Sequence, residues 1–399
     1  MIAAIRDGQA KSGAIHRETL RELQDWLGEQ GRAMGRAYRL LLPTAGPDEG
    51  LSIGLITPED IRFSRVATEG WEELFPPDKP MPAAQEGRRR LARSCLAGSA
   101  GGATTDPVAG AGTAEWALVS GDPFWSAFPW ELLRFGEGED DYLGLHQVLP
   151  RVGAIQAADL RTQCRPETLG EGTGDLTVLA PHDPGWWPLE GVIPDTQAVK
   201  RAIEARGGQV LALASGTQAS DAEARQQWEQ RPAILYYSGH GTILQNEELL
   251  VVHRDLKDPN APTPTVPNYI GKQQLRAWSE GLDRPLFAQY PLIVLNSCVT
   301  GRSRQAGGAQ EDLVHNLLAL GTGTVIASAL PIYDAVGQAL GESLFDPRVN
   351  DAQDVGTAVL KARRYLAEGL YAEPSGPFWG AWSMIHLHGN AQARLPFGF

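Results

Sequence analysis

The sequence predicts an α/β protein with a largely parallel sheet, helices on both of its faces, and an N-terminal appendage of helix and strand. Three observations lead there. Short apolar runs alternate with helix-period runs through the C-terminal half, the apolar runs are continuous rather than alternating, and 42% of the 399 residues are hydrophobic, enough for a sizeable core.

The elements follow in chain order. Residues 16–41 place Leu20, Leu23, Leu27, Met34, Tyr38 and Leu41 at mostly helical spacing and predict one long amphipathic helix. LSIGLI (51–56) is a short strand candidate, and an irregular aromatic stretch surrounds Trp71. SAGGATTDPVAGAGT (99–113) is rich in Gly, Ala and Thr and reads as a loop or linker. The expected organisation is therefore an N-terminal segment 1–97, a linker 98–113 and a main domain 114–399.

In the main domain, strands are expected at Leu176–Ala180, Gln209–Leu213, Ala233–Ser238, Leu249–His253, Leu292–Asn296, Thr324–Ala329 and Trp382–His388. Helices are expected at about 194–206, 220–230, 270–280, 310–320, 334–345 and 352–368. KDPNAPTPTVP (257–267) holds four prolines and reads as a surface loop.

Charge and cysteine count narrow the function. Thirty-five basic against 48 acidic side chains give a net charge of -13, a field that repels nucleic acid and anionic membranes. The densest basic run, Arg88–Arg90 with Arg93, reads as the solvated face of a short helix. Three cysteines (Cys95, Cys164, Cys298) with no CxxC spacing argue against a disulfide framework or a structural zinc site and favour a reducing compartment. The N-terminus lacks a signal-peptide apolar core and no stretch is long enough to span a bilayer, so a cytoplasmic location is expected.

Functional residues in parallel α/β sheets gather at the carboxyl ends of strands. Two strands end in the right chemistry. AILYYSGHGT (233–242) runs into Ser-Gly-His-Gly, and LIVLNSCVTG (292–301) runs into Asn-Ser-Cys-Val-Thr-Gly. A free thiol is only a few per cent thiolate at neutral pH, and a nearby imidazole can activate it and then protonate a leaving amine. Gly239 and Gly241 leave backbone room beside His240, so that a substrate strand can approach and the Gly241 amide can face a developing oxyanion, with the Cys298 amide as second donor. Each residue alone has a plainer reading, the cysteine as a small buried hydrophobe and the histidine as a turn residue. Their joint placement at two strand ends favours catalysis.

LYYSGHGT and LIVLNSCVTG resemble the two signature blocks of the CHAT domain family, a branch of the caspase and separase clan. FPWELLRF (128–135) with YLGLHQVLPRV (142–152), LLALGTGTVIASALPIYD (317–334), AVLKARRYL (358–366) and PFWGAWSMIHLHG (377–389) resemble further blocks, in family order over about 115–392. The resemblance implies a caspase-like fold, His240 as general base and acid, Cys298 as nucleophile, the Gly241 and Cys298 amides as oxyanion hole, and no metal or cofactor. It also implies a protein substrate, cut in bacterial signalling or defence, such as a gasdermin-like or CRISPR-associated target.

Where the family favours Trp before the Asp334 position, this chain reads ALPIYD. Asp334 reads as the N-cap of the helix that follows, or as a pocket residue for a basic side chain, as in separase-like relatives. A silent scaffold binding partners through residues 1–97, or a cysteine hydrolase or acyltransferase of small amides, would carry the same pair. Residues 243–268 and 299–310, rich in Pro, Gly, Ser and Arg, suggest a groove that an activating partner must order.

His386 and His388 share a strand face and could take a metal, but lack a third ligand at suitable spacing. Gly321-Thr-Gly323-Thr reads as a helix stop rather than a dinucleotide loop. Trp186 and Trp187 read as part of a loop packed on the core.

Overall fold

The computed structural model describes residue 25 and residues 38–46, 50–56, 61–66, 115–120, 130–132, 142–153, 169, 174–182, 188–245, 247–254, 267–280, 282–283, 286–301, 305–306, 309–310, 312–328, 331–368 and 381–395. The chain divides into two compact units, Met1–Gln163 and Cys164–Phe399.

In the first unit, β1 (Tyr38–Gly46) pairs antiparallel with β2 (Gly50–Ile56), which pairs antiparallel with β3 (Ile61–Val66). On its other side β1 pairs parallel with β4 (Glu115–Ser120), and β4 pairs parallel with β5 (Arg151–Gly153). This corrects the end of the helix expected over 16–41; Asp25, the other described residue of that stretch, is helical. Tyr38–Leu41 belong to β1, because YRLLLP has ladder partners on both sides and Pro43 could not continue a helix. Leu20, Leu23, Leu27 and Met34 lie outside the described residues, as do Trp71, Trp186, Trp187 and the 99–113 segment. A short helix, α1 (Leu143–His146), follows, and Arg151 forms a buried two-pronged ion pair with Glu131 at 2.6 and 2.8 Å.

The second unit is built on six strands in the order β16-β15-β12-β8-β6-β7. They are β6 (Gly174–Ala180), β7 (Val210–Ser215), β8 (Pro232–Ser238), β12 (Leu292–Asn296), β15 (Thr324–Ser328) and β16 (Ile385–Gly389). All neighbours are parallel except β15 and β16. Between these strands the chain forms α2 (Val192–Ala205), α3 (Asp221–Glu229), α4 (Lys272–Ser279), α5 (Leu313–Ala319), α6 (Asp334–Phe345) and α7 (Val355–Glu368).

Alternate residues of the central strands point to opposite cores, which is why each strand reads as an unbroken apolar run. One face carries Leu235, Tyr237, Ile293, Leu295, Val325 and Ala327 against Trp228 of α3, Trp278 of α4 and Leu313 and Leu317 of α5. The other face meets α2 and α6, with the Tyr236 ring edge-on to Phe345.

Two strand expectations need correction. Leu249–His253 lies not in the parallel sheet but in β10 (Glu247–His253), the middle of an antiparallel sheet with β9 (Gly241–Leu244) and β11 (Pro267–Ile270). Its near-complete burial mimics a parallel-sheet strand. In the last segment, Ala381–Met384 forms a tight 3-10 turn before β16 begins. A two-stranded ribbon, β13 (Gln305–Ala306) with β14 (Ala309–Gln310), lies between β12 and α5. Gly321 does stop α5, with φ +106°, before the chain enters β15. No helix among the described residues is long and apolar enough to cross a membrane.

Strand order places a switch point at β6. From it the chain moves outward to β7, then returns to β8 on β6's other side and continues to β12 and β15. Such a reversal opens a crevice at the carboxyl ends of the strands.

Candidate active site

The crevice is real and four strand ends line it. Leu189, Gly191 and Val192 come after β6, Ser238, Gly239 and His240 from the end of β8, Asn296, Ser297 and Cys298 from the end of β12, and Ile332, Tyr333 and Asp334 after β15. The cleft is open to solvent.

Register explains how two distant motifs meet. β8 and β12 are parallel neighbours, and their last paired residues are Ser238 and Asn296. The Gly239 amide then donates to the Asn296 carbonyl at 3.2 Å, carrying the pairing one residue further. His240 and Cys298 each stand two residues beyond the Ser238–Asn296 pair, at the same level of the sheet.

The two loops touch through their backbones. A Cβ built on Gly241 would sit 2.0 Å from the Cys298 carbonyl oxygen and 2.9 Å from Thr300 Cγ2, so only glycine allows this approach. The loop carrying His240 is itself clamped: its carbonyl accepts from the Val251 amide at 3.0 Å and lies 2.7 Å from the Tyr237 hydroxyl. That hydroxyl is also 2.7 Å from the Val251 carbonyl, and its one hydrogen serves either acceptor. The antiparallel β9–β11 sheet therefore holds the histidine loop from one side.

Cys298 sits at a tight turn. The next residue, Val299, has φ +54°, a left-handed conformation that a β-branched residue adopts only under constraint. The turn is held by the Ser297 and Thr300 hydroxyls, 3.2 Å apart, and by the Gly301 amide donating to the Ser328 carbonyl at 2.8 Å. Cys298 Sγ receives the Ile332 amide at 3.4 Å and lies 3.6 Å from the Ile332 carbonyl. Burial pushes the thiol pKa up, and the Ile332 backbone pulls against it.

Asp334 has a different local role from the one expected. Tyr333 is the N-cap of α6 and Asp334 its first helical residue, and the Asp334 Oδ2 accepts from the Gly191 amide at 2.8 Å. It therefore ties the start of α2 to the start of α6 rather than capping its own helix. Its side chain is exposed and lines the cleft.

Beneath the cleft lies a residue that sequence reading missed. Asp195, in the first turn of α2, is fully buried and accepts from Ser238 Oγ at 2.8 Å, Tyr236 Oη at 2.9 Å, Asn296 Nδ2 at 2.8 Å and the Gly341 amide at 3.1 Å. Burial drives its pKa up to about 7 against those donors. In sequence it is an ordinary acid in the first turn of a helix. The available signal was the polar end of two otherwise apolar strands, Ser238 and Asn296, which need a shared partner when buried.

His386 and His388 are buried on β16 with ring centroids 6.4 Å apart. No group of three His, Cys, Asp or Glu side chains that could hold a metal ion occurs among the described residues. Cys95 and Cys164 lie outside those residues.

A family model described as the CHAT domain matches residues 107–388. None of the curated proteins matches. Among solved structures, the chain is similar to the Arg-specific cysteine proteinase gingipain R, RgpB of Porphyromonas gingivalis, at 13% identity and TM-score 0.45, over 82% of this chain and 71% of that one. It is similar to the Saccharomyces cerevisiae separase–securin complex at 14% identity and TM-score 0.43, over 69% of this chain and 15% of that one. Caspase-1 from Spodoptera frugiperda is similar at 12% identity and TM-score 0.35, over 57% of this chain and 93% of that one.

Proposed function

Since the chain belongs to the CHAT domain family, we propose that it is a cysteine endopeptidase in which His240 and Cys298 form the catalytic dyad. The observation that carries this reading is the parallel register of β8 and β12, which brings both residues to one level of one cleft. Cys298 Sγ attacks the scissile carbonyl carbon, with His240 taking the thiol proton and delivering it to the leaving amine. A thioester remains, and water activated by His240 hydrolyses it, regenerating the thiol. The Gly241 and Cys298 amides serve as oxyanion donors, and the Ile332 amide favours the thiolate.

The substrate is a protein. An open cleft suits an extended peptide better than a small amide, which is normally enclosed. Asp334, exposed in the cleft with its carboxylate braced by the Gly191 amide, supports a preference for a basic side chain before the cut. Activation by a partner docking on residues 1–97, and a cellular role in bacterial signalling or defence, complete the proposal.

The test is to incubate the full chain and its Cys298→Ala variant with a cell lysate and sequence the new N-termini. Wild-type-specific cuts after Arg or Lys are expected. Identical N-termini in both samples, with and without proteins encoded nearby, would overturn the reading.

A further inference from the structure

We propose that Asp195 is a positioning residue that fixes the strand ends carrying His240 and Cys298 relative to each other, so that the reactivity of the thiol depends on its carboxylate. The inference rests on the catalytic reading of that pair. Its own support is the hydrogen-bond geometry beneath the cleft.

Three elements converge on one carboxylate. Tyr236 and Ser238 come from β8, Asn296 from β12 and the Gly341 amide from α6, while Asp195 itself belongs to α2. Oδ2 accepts from Ser238 Oγ and from Asn296 Nδ2, both at 2.8 Å, and so bridges the two strands at their last paired residues. Those residues stand two positions before His240 and Cys298. Asn296 Nδ2 also donates to the Gly337 carbonyl at 2.8 Å, which ties the β12 end to α6 as well. A shift of either strand end would break a bond to this carboxylate.

A purely structural role accounts poorly for the choice of residue. Tyr236, Ser238, Asn296 and the Gly341 amide are neutral donors, so no cationic side chain among them offsets the cost of burying the charge. An aliphatic residue there would leave Ser238, Tyr236 and Asn296 without their shared acceptor, so a whole polar group is maintained at the strand ends that carry the site. Helix approach is also adapted to it: a Cβ on Gly341 would lie 2.3 Å from Asp195 Oδ1 and 2.4 Å from Val199 Cγ2. Space for the carboxylate has been kept at a helix crossing.

The chemistry requires an acceptor at both oxygens. Asn296 Nδ2 and the Gly341 amide are obligate donors, and they meet opposite oxygens of Asp195. An amide at this position would face one of them with its own NH₂ whichever way it turned. Asp195→Asn is therefore nearly isosteric yet cannot reproduce the bridge.

The experiment measures iodoacetamide alkylation of Cys298 by peptide mass spectrometry, at pH 7.5, in the full chain. The variants are Asp195→Asn, Ser238→Ala, His240→Ala and the Asp195→Asn/His240→Ala double, each with its thermal unfolding curve. Asp195→Asn should slow alkylation about tenfold or more, since small misplacements of reacting groups carry losses of that order. Ser238→Ala, which removes one of the donors, should slow it less and covers the case in which Asp195→Asn does not fold. In the double variant, Asp195→Asn should add little to His240→Ala, because a positioning residue acts through the imidazole. Alkylation that responds to His240→Ala but not to Asp195→Asn or Ser238→Ala would overturn this inference alone. Alkylation indifferent to His240→Ala would overturn the catalytic pairing and the inference together.

Discussion

Replacing Gly241 by alanine should disable the site while leaving the fold in place. The new Cβ would lie 2.0 Å from the Cys298 carbonyl oxygen, against a floor of about 3 Å for real contacts, so the His240 and Cys298 loops must separate by roughly 1 Å. The obstruction is Cys298 backbone held in the turn at Val299, and the His240 loop opposite is held by the Val251 amide, so neither side swings away freely. A 1 Å misplacement of reacting groups costs on the order of 100-fold in rate, or about 3 kcal/mol of barrier. Overpacking should destabilise the protein by roughly 1–3 kcal/mol. The control is Gly207→Ala, at φ +80° with nothing within 4 Å of its Cβ, where only backbone strain of roughly 1 kcal/mol is introduced, far from the cleft. Both variants should lose a few degrees of melting temperature, but only Gly241→Ala should lose Cys298 alkylation and peptide cleavage. Alkylation in Gly241→Ala within threefold of wild type would refute the argument that this contact sets the dyad geometry.

Further outcomes follow from the same site. Cys298 should react with iodoacetamide faster than Cys95 or Cys164; equal labelling of all three on peptide mapping would count against an activated nucleophile. In His240→Ala the alkylation profile of Cys298 should shift to higher pH than that of an ordinary thiol, because burial raises its pKa and the Ile332 amide offsets this only in part; a profile below that of free cysteine would contradict this. Asp334→Asn should lower kcat/KM for substrates with Arg before the cut by about tenfold or more and spare those with an apolar residue there, and parallel losses on both would remove Asp334 from the pocket. Asp195 also makes stability depend on pH. Its carboxyl is raised from 3.8 to about 7 in the folded protein, so its contribution is fully present below pH 3.8 and is lost as pH rises through 7. Urea unfolding of wild type at pH 5 and pH 8 should show this group weakening the fold by roughly 3 kcal/mol over that interval, a slope that Asp195→Asn flattens. An unchanged slope in the variant would mean that Asp195 does not titrate there.

Helices and strands of the C-terminal unit were legible because each is bounded locally. Asp334–Phe345 and Leu292–Asn296 fall where periodicity and flanking residues put them. The pair His240 and Cys298 was legible for a related reason: both follow apolar strands directly, and parallel α/β sheets gather chemistry at strand ends. What failed was information held by partners distant in sequence. Tyr38–Leu41 has a helix-compatible pattern and became a strand because β2 and β4 offer ladders on either side. Leu249–His253 was correctly read as a strand but placed in the wrong sheet, since burial on both faces erases the alternation that marks an antiparallel partner. Asp195 and Asp334 carry no local mark of their roles. One answers to donors 41 to 146 residues away and the other to an amide 143 residues away. Short-range patterns and side-chain type were enough to order the helices and parallel strands of the C-terminal unit and to single out His240 and Cys298 at two strand ends. The register of β8 against β12, the backbone contact at Gly241 and the buried carboxylate beneath it came from the folded chain alone, because each is a condition on the separation of segments brought together only on folding.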